Sequence, residues 1–221
     1  MILRDQPTKF SDDVMIRVSS AEDGTMSLKS LAEYPEEVWQ NRKNFITSCA
    51  GDIGKTALVY MTYEDGRSYD VYRDAATVGR ELSTDDDEVA DGLVTQDTKT
   101  GLFLPIADCC ATVLYDREHG ALMLSHIGRH SIEVDGAKKS LQYMTDNYGT
   151  KPEDTVVWLS PAVSAANYPI FARQSQGLRE LIVNDLRTAG VNDDNIEVSP
   201  SNTDTNDDYF SHSEYQKGRR P

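Results

Sequence analysis

The chain has 221 residues, of which 38% are hydrophobic and 27% charged, so it is long enough to bury a core and too apolar for a disordered chain. Its 37 acidic and 22 basic residues give a net charge of −15, which disfavours binding to nucleic-acid phosphates and to anionic membranes. No apolar stretch approaches the roughly 20 residues of a membrane-spanning helix, and residues 1–13 lack the apolar segment of a signal peptide.

The N-terminal half of the chain predicts one helix and two strands. Apolar side chains recur on one helical face over 36–50, which predicts a helix. The segments 56–61 and 68–73 predict two strands on either side of a turn at 64–66. The acidic stretch 80–91 lacks the glycine and the spaced ligands of a calcium loop, so we interpret it as a solvated loop.

The C-terminal half predicts closely spaced buried strands and two amphipathic helices. Apolar periodicity near 3.6 predicts helices over 132–148 and 175–189. This mixture of elements favours one α/β domain over 1–221, partly irregular at 1–20 and 200–221. The predicted strands are 102–110, 111–116, 121–126 and 155–160.

Two reactive side chains, Cys109 and His126, lie at the ends of predicted strands. Such positions are common for catalytic groups in α/β folds. The pair allows nucleophilic catalysis, with His126 as the base for a thiolate, or ligation of zinc or copper. A buried cysteine is often only a small hydrophobic residue, the role that we assign to Cys110 on the opposite strand face. Three cysteines do not indicate a disulfide framework, so we expect a reduced, cytoplasmic protein.

The segment that follows His126 is a candidate anion site. Gly128 lies in a turn before a predicted helix start, where backbone N–H groups bind anions. Arg129 and Ser131 add side-chain donors for a phosphate or carboxylate, although Ser131 also fits a simple helix cap. His130 is a further candidate metal ligand or acid–base group, with an ordinary surface histidine as the alternative.

Short motifs in a fixed order resemble those of one protein family. Residues 107–109 resemble its Ala-Asp-Cys motif, and residues 125–128 resemble the start of its HaGWrG motif. On these residues the chain resembles the laccase-domain, multicopper polyphenol oxidase-like family, which includes the peptidoglycan editing factor and bacterial purine nucleoside phosphorylases. Further matches in chain order are 41–42, 90–95, 160–163, Tyr168, 210–211 and 218–219.

The resemblance implies a fold and a reaction. The fold is a single-domain α/β (α+β) sandwich of mixed β-sheets flanked by helices, distantly related to cysteine-dependent hydrolases. The reaction is phosphorolysis of adenosine and related purine nucleosides, with adenosine deamination alongside. The site is a His/Cys/His metal cluster, in which Cys109 is the cysteine and His126 the later histidine. For such an enzyme, our own hypothesis from the residues is that Gly128, Arg129 and Ser131 bind phosphate and that Asp108 or His130 moves protons.

The chain departs from the family at the metal cluster. The stretch that matches the family's first histidine, 60–66, contains no histidine, and Tyr63 stands in its place, followed by Glu64. Glu64 or His130 would then supply the third ligand, for zinc or, alternatively, copper. Four histidines in the whole chain are too few for a multicopper oxidase, so we exclude electron-transfer oxidation as the main activity.

Three functions from different classes remain open. The favoured function is a metal-dependent purine nucleoside phosphorylase whose partners are a purine nucleoside and phosphate. The second is a metal-free hydrolase or deamidase that uses Cys109 and His126. The third is a diverged, non-catalytic protein that binds a nucleoside-like ligand or a partner. In each case we expect a cytoplasmic monomer with no nucleic-acid or membrane partner.

Overall fold

The structure is a computed structural model with a mixed α/β fold. The strands are β1 (Thr56–Leu58), β2 (Tyr72–Asp74), β3 (Gly92–Thr95), β4 (Gly101–Phe103), β5 (Cys110–Asp116), β6 (Ala121–Ile127), β7 (Val156–Leu159) and β8 (Ile196–Val198). The helices are α1 (Glu36–Ser48), α2 (Arg129–Glu133), α3 (Gly136–Tyr148), α4 (Leu178–Thr188) and α5 (His212–Gln216). The residues that the structure describes are 2, 5–10, 12–27, 36–61, 67–82 and 88–219.

The larger sheet has six strands in the order β2-β3-β6-β5-β7-β8. Its centre is the antiparallel hairpin of β5 and β6, in which Asp116 pairs with Ala121. The connecting turn ends at Gly120, whose φ of +64° favours glycine. The Asp116 carboxylate accepts hydrogen bonds from the backbone N–H groups of Glu118 and His119. The edge strand β2 is parallel to β3, and the other edge strand, β8, is parallel to β7, so the sheet is mixed.

One face of this sheet is covered by α3 and α4. Alternate side chains of the central strands point towards these helices, and Leu114, Met123 and Leu159 are fully buried. They share one hydrophobic core with Leu141 of α3 and Ile182 of α4. Burial of this apolar surface is the main favourable contribution to folding. In the described part of the chain, no helix is long and apolar enough to cross a membrane.

The opposite face of the sheet is partly covered by a second layer. β1 and β4 form a two-stranded parallel sheet. Leu93 and Leu124 of the large sheet belong to one buried cluster with Ala57 of β1. Phe45 and Ile46 pack α1 against this small sheet. The fold is therefore a sandwich of mixed sheets flanked by helices, as the family resemblance implied.

The predicted helix over 132–148 is in fact two helices, α2 and α3. Asp135 separates them with a left-handed φ of +60°. Gly136 begins α3 so close to α2 that an added Cβ would lie 2.7 Å from the Ser131 carbonyl oxygen. The periodicity of the apolar residues continues through this break, and for that reason the sequence alone indicates one helix.

The predicted strand over 102–110 is also interrupted. β4 ends at Phe103, and β5 begins at Cys110. Pro105 has no N–H to donate within a sheet, and Asp108 has a φ of +75°, which is outside the extended region. The two halves belong to different sheets, so the interruption lets the chain pass from one layer to the other.

The two strands predicted around the turn at 64–66 do not form a hairpin. β1 covers the first three residues of 56–61, whereas β2 overlaps only the last two residues of 68–73, and the two strands belong to different sheets. The turn itself lies outside the described residues. β2 pairs instead with β3, and β1 with β4. Partners more distant in the chain therefore decide the pairing of both strands.

The acidic segment 80–91 is not wholly a solvated loop, contrary to the prediction. Residues 83–87 lie outside the described ranges, but Ala90 is buried and Asp91 is only 1% exposed. These two residues lead into β3, which lies between β2 and β6. Neither β3 nor β8 was predicted from the sequence, because strands of three or four residues carry little periodicity.

Candidate functional site

The position of Cys109 depends on the backbone at Asp108. With its left-handed φ of +75°, Asp108 turns the chain just before β5. Its carbonyl oxygen accepts a hydrogen bond from Val163 N at 2.9 Å. Its carboxylate accepts one from Thr203 Oγ1 at 2.7 Å and one from Ser213 N at 2.6 Å. Asp108 thus anchors the C-terminal segment beside Cys109, with both carboxylate oxygens engaged.

His126 lies on the sheet face away from α3 and α4. It pairs with Ala111 across the β5–β6 hairpin, while its neighbours Ser125 and Ile127 point to the helical side. Its backbone N–H donates to the Asp91 carbonyl oxygen at 2.7 Å. The side chain is only 2% exposed. The register of β6 therefore sets the imidazole on the same side of the sheet as Ala111.

Gly128 marks the point where the two reactive side chains meet. A Cβ added there would lie 2.9 Å from Cys109 Sγ, 3.4 Å from His126 Cε1 and 3.6 Å from His126 Nε2. The Cys109 thiol and the Nε2 edge of the imidazole thus face one small space, which a side chain at position 128 would fill. The structure brings together the two residues that the sequence analysis singled out.

Asp91 and Arg67 lie on the other side of the His126 ring. Asp91 Oδ1 is 4.0 Å from His126 Nδ1. Asp91 Oδ2 accepts hydrogen bonds from Arg67 Nη2 at 3.0 Å and from Val71 N at 3.2 Å. Neither residue was predicted from the sequence to belong to the site. The signal for Asp91 was its place in the family-like stretch 90–95, whereas no motif indicates Arg67.

Burial controls the protonation of this group. Burial, with a smaller contribution from the nearby Arg67 charge, lowers the pKa of His126 from 6.5 to about 3. Burial raises the pKa of Asp91, while the Arg67 guanidinium opposes that rise. The imidazole is therefore neutral at pH 7, so it can accept a proton or ligate a metal through a ring nitrogen.

The predicted anion site is a short turn of helix. α2 has five residues and begins at Arg129, with Gly128 before it. Gly128 N lies 3.5 Å from Ser131 Oγ, and Ser131 is buried, so its hydroxyl caps the helix start. The Arg129 side chain is exposed. Among the three predicted phosphate ligands, Gly128 and Ser131 are buried, whereas Arg129 is exposed to solvent.

His130 packs against an aromatic ring beside this turn. It stacks on Tyr69 with ring centroids 4.7 Å apart and an angle of 19° between the planes. Its Nε2 is 3.3 Å from Arg129 Nη2, and the Arg129 guanidinium carbon lies 6.0 Å from the centre of the Tyr168 ring. The Arg67 guanidinium carbon lies 5.7 Å from the centre of the Tyr69 ring. A series of contacts between cationic and aromatic side chains therefore connects Asp91, through Arg67, Tyr69 and His130, to the exposed Arg129.

The metal ligands predicted from the sequence are only partly assembled by the described residues. Cys109 and His126 converge, but no group of three or more His, Cys, Asp or Glu among the described residues is arranged to hold a metal ion. Glu64, one candidate for the third ligand, lies outside them. His130, the other candidate, is engaged with Tyr69 and Arg129. Two ligands do not complete a zinc site of the usual three protein donors.

A cavity of about 1030 Å³ opens on the outer face of the large sheet, and Cys109 is in its wall. Apolar side chains of the central strands, including Val113, Leu124 and Trp158, form its floor. Cys109 itself is half-buried. Cys109 thus borders this cavity, while His126 is nearly closed to solvent and is not among the residues of its wall.

Comparison with known proteins places the chain among a group of related sequences. The model of the family "Multi-copper polyphenol oxidoreductase laccase" matches residues 18–177. A purine nucleoside phosphorylase of Bacteroides thetaiotaomicron is 30% identical over 80 residues, which are 36% of this chain and 30% of that protein. Purine nucleoside phosphorylase YlmD of Bacillus subtilis is 23% identical over 147 residues, 66% of this chain and 52% of the relative. The chain spans about half or less of the length of these relatives.

A solved structure shares the fold. YlmD from Geobacillus stearothermophilus superposes with a TM-score of 0.75 at 19% identity, covering 89% of this chain and 81% of that one.

Proposed function

Because the chain belongs to the multi-copper polyphenol oxidoreductase laccase family, we propose that it is a purine nucleoside phosphorylase acting on adenosine and related nucleosides. The observation that carries the proposal is the convergence of the Cys109 thiol and the His126 imidazole beside Gly128. Relatives over part of the chain are named purine nucleoside phosphorylases, which supports the same reaction.

Phosphorolysis requires a site that binds the phosphate anion and a group that transfers a proton to the leaving purine. A phosphate oxygen attacks the ribose C1′ as the bond to the purine nitrogen breaks, giving ribose 1-phosphate and a free base that takes up a proton. Arg129, with Gly128 and Ser131 at the start of α2, is the proposed phosphate site. On a chain of net charge −15, phosphate needs such a local cation to approach.

Proton transfer is assigned to the side chains around Cys109. The neutral His126 imidazole is suited to accept a proton or to ligate, because its pKa of about 3 leaves it unprotonated at pH 7. His130 and Asp108 stay the predicted proton-transfer residues. The hydrogen bonds from Thr203 and Ser213 to the Asp108 carboxylate favour a positioning role for that residue.

Zinc, with copper as the alternative, stays a prediction of the family resemblance. Cys109 and His126 would supply a thiolate and an imidazole, with Glu64 or His130 as the proposed third ligand. Since the described residues bring together only two of these donors, we derive no reaction step through a metal.

The test is a time course of adenosine conversion followed by chromatography, with and without phosphate, on protein of measured metal content. We expect adenine that depends on phosphate and a loss of about 100-fold or more in Cys109→Ala. The matched control is Cys49→Ala, a half-buried cysteine that packs against the apolar cluster of α1 and the small sheet. Inosine in place of adenine would indicate deamination instead. No product from folded, zinc-supplemented protein would overturn the enzyme proposal in favour of a nucleoside-binding protein.

A metal-free cysteine hydrolase is the second candidate. It is favoured by the placement of His126, whose Nδ1 faces Asp91 at 4.0 Å and whose Nε2 borders the same space as the Cys109 thiol, because a thiol, an imidazole and a carboxylate together can activate a cysteine nucleophile. Turnover that survives complete removal of metal by a chelator, and that is lost in Cys109→Ala, would support it. For either candidate we propose a cytoplasmic monomer.

A further inference from the structure

We propose that Asp91 is the positioning residue of His126, holding the ring with Nδ1 towards the carboxylate and Nε2 towards Cys109. The inference rests on the proposed function of this site and adds to it a residue that no sequence motif assigned a role. It applies to the phosphorylase and to the hydrolase alike, because both need one defined edge of the imidazole beside the thiol.

The main chain fixes the two residues against each other. His126 N donates to the Asp91 carbonyl oxygen at 2.7 Å, and Asp91 precedes β3, which pairs with β6. The side chains then face each other with Nδ1 and Oδ1 4.0 Å apart, and both are nearly inaccessible to solvent. At 4.0 Å the two atoms are not hydrogen-bonded, but a movement of about 1 Å would bring them into hydrogen-bond distance, and catalytic contacts often tighten in this way when substrate binds.

The orientation of the carboxylate is also fixed. Arg67 Nη2 and Val71 N both donate to Asp91 Oδ2, and they therefore hold the group against rotation. Oδ1 accepts no hydrogen bond from the described residues. A buried carboxylate oxygen in that position is a strong acceptor for an N–H group. The imidazole nitrogen Nδ1 faces this oxygen at 4.0 Å and would be its donor if it carried the hydrogen.

The opposite edge of the ring borders the same small space as the reactive thiol. Nε2 and Cys109 Sγ both lie within 4 Å of the space beside Gly128. If Nδ1 carries the hydrogen, Nε2 keeps its lone pair for a proton or a metal. The other tautomer would place a hydrogen against Cys109 and leave Asp91 Oδ1 facing a second lone pair.

The chain contains a matched buried aspartate for comparison. Asp185 Oδ1 accepts a hydrogen bond from Arg173 Nη2 at 2.9 Å, and its Oδ2 accepts none from the described residues. Asp185 is 3% exposed and lies on α4, outside the candidate site. An effect of charge loss at a buried aspartate–arginine pair should therefore appear in Asp185→Asn as well as in Asp91→Asn.

The test reads the His126 tautomer by nitrogen NMR of metal-free, full-length protein at pH 7, with ¹⁵N-labelled histidine. The chain has four histidines, and the signals of His126 are those that vanish in His126→Gln. We expect hydrogen on Nδ1 in the wild type and in Asp185→Asn. In Asp91→Asn, we expect the amide oxygen to keep the hydrogen bonds from Arg67 and Val71, so that the NH₂ group faces His126 Nδ1. Because NH₂ is a donor, Nδ1 must then act as acceptor, and the imidazole hydrogen moves to Nε2.

Hydrogen on Nε2 in the wild type, or an unchanged tautomer in folded Asp91→Asn, would overturn the proposal. The wild-type spectrum alone decides the first point if the variant does not fold. Where turnover is measurable, we expect kcat to fall about 10–100-fold in Asp91→Asn with little change in KM, and to remain unchanged in Asp185→Asn. Since the spectrum needs no turnover, failure of the phosphorylase proposal and failure of this one are distinguishable.

Discussion

At the scale of single residues, Gly128 shows how little space the candidate site has. Its backbone angles, φ −118° and ψ −168°, are open to any residue, so conformational freedom is not the reason for glycine. The reason is the distance of 2.9 Å between an added Cβ and Cys109 Sγ. The requirement for glycine is therefore imposed by the thiol and the imidazole that meet there.

Replacement of Gly128 tests this crowding. In Gly128→Ala we expect activity to fall more than about tenfold and the free energy of unfolding to fall by about 1–3 kcal/mol, as overpacking does. Adding Cys109→Ala should restore part of that stability, because it removes the atom nearest the new methyl group. Urea unfolding measures the stabilities. Gly54→Ala, where an added Cβ meets only an Asp52 side-chain oxygen at 3.3 Å, is the control. A double variant no more stable than Gly128→Ala would contradict the prediction.

The buried imidazole makes stability depend on pH. The pKa of His126 is about 3 in the folded protein and 6.5 in the unfolded chain, so between these values only the unfolded chain binds the proton. The free energy of unfolding therefore falls as the pH falls. For metal-free protein we expect this residue to account for a loss of about 1.5 kcal/mol between pH 6.5 and pH 5.

The measurement is urea unfolding of the wild type and of His126→Gln at both pH values. The wild type should lose about 1.5 kcal/mol more than the variant. The contributions of other titrating groups cancel when the two losses are compared. Equal losses would therefore show that the folded protein binds a proton at His126 as readily as the unfolded chain does.

At the scale of elements, the C-terminal segment is held to the site by Asp108. The carboxylate accepts hydrogen bonds from Thr203 Oγ1 and from Ser213 N near the start of α5, and the Asp108 carbonyl oxygen binds Val163 N. Three segments distant in the chain are therefore joined at the residue that precedes Cys109. The same contacts explain why a residue other than glycine holds a φ of +75° there.

Loss of this anchor should loosen the tail. In Asp108→Asn, an NH₂ group replaces one acceptor and faces a donor, so we expect a loss of about 1–3 kcal/mol in the free energy of unfolding. Cleavage after residue 203 by a low concentration of protease should also become faster. Asp97→Asn is the control, because Asp97 likewise accepts one hydroxyl and one backbone N–H, from Thr100 and Lys99, but on the surface. Equal effects of the two substitutions would count against an anchoring role.

At the scale of the whole molecule, the excess of acidic residues is the dominant electrostatic property. A net charge of −15 opposes the compact state through self-repulsion. Ion pairs such as Arg67–Asp91 and Arg173–Asp185 compensate locally within the described structure. The remaining repulsion between acidic side chains on the surface therefore depends on screening by counterions from solution.

Salt should stabilise the protein. In 1 M sodium chloride the screening length is about 3 Å, and we expect Tm to rise by about 4–8 °C relative to 0.1 M, equivalent to about 2 kcal/mol. Differential scanning calorimetry measures the change. Sucrose of the same osmolality, which does not screen charge, is the control, and an equal rise in sucrose would contradict an electrostatic origin.

The amino-acid sequence by itself determined the elements whose patterns are long. The helices α1 and α4 and the β5–β6 hairpin follow the predicted boundaries closely, because apolar periodicity over seven or more residues defines their buried faces. Cys109 and His126 were also predicted as a pair from their places at the ends of strands. The prediction was wrong in detail for Cys109, which precedes β5 instead of ending a strand, and the turn between β5 and β6 brings it close to His126. The mixed sandwich followed from the motifs at 107–109 and 125–128, which indicated the family.

Only the tertiary structure decided which residues complete the candidate site. Asp91 and Arg67 reach His126 because β3 pairs with β6, and a three- or four-residue strand carries too little pattern to predict its partner. The division between α2 and α3 likewise depends on the close approach of Gly136 to Ser131, not on apolar periodicity. Short-range patterns determine elements, whereas strand register and close contacts between distant residues determine what lies beside a reactive side chain.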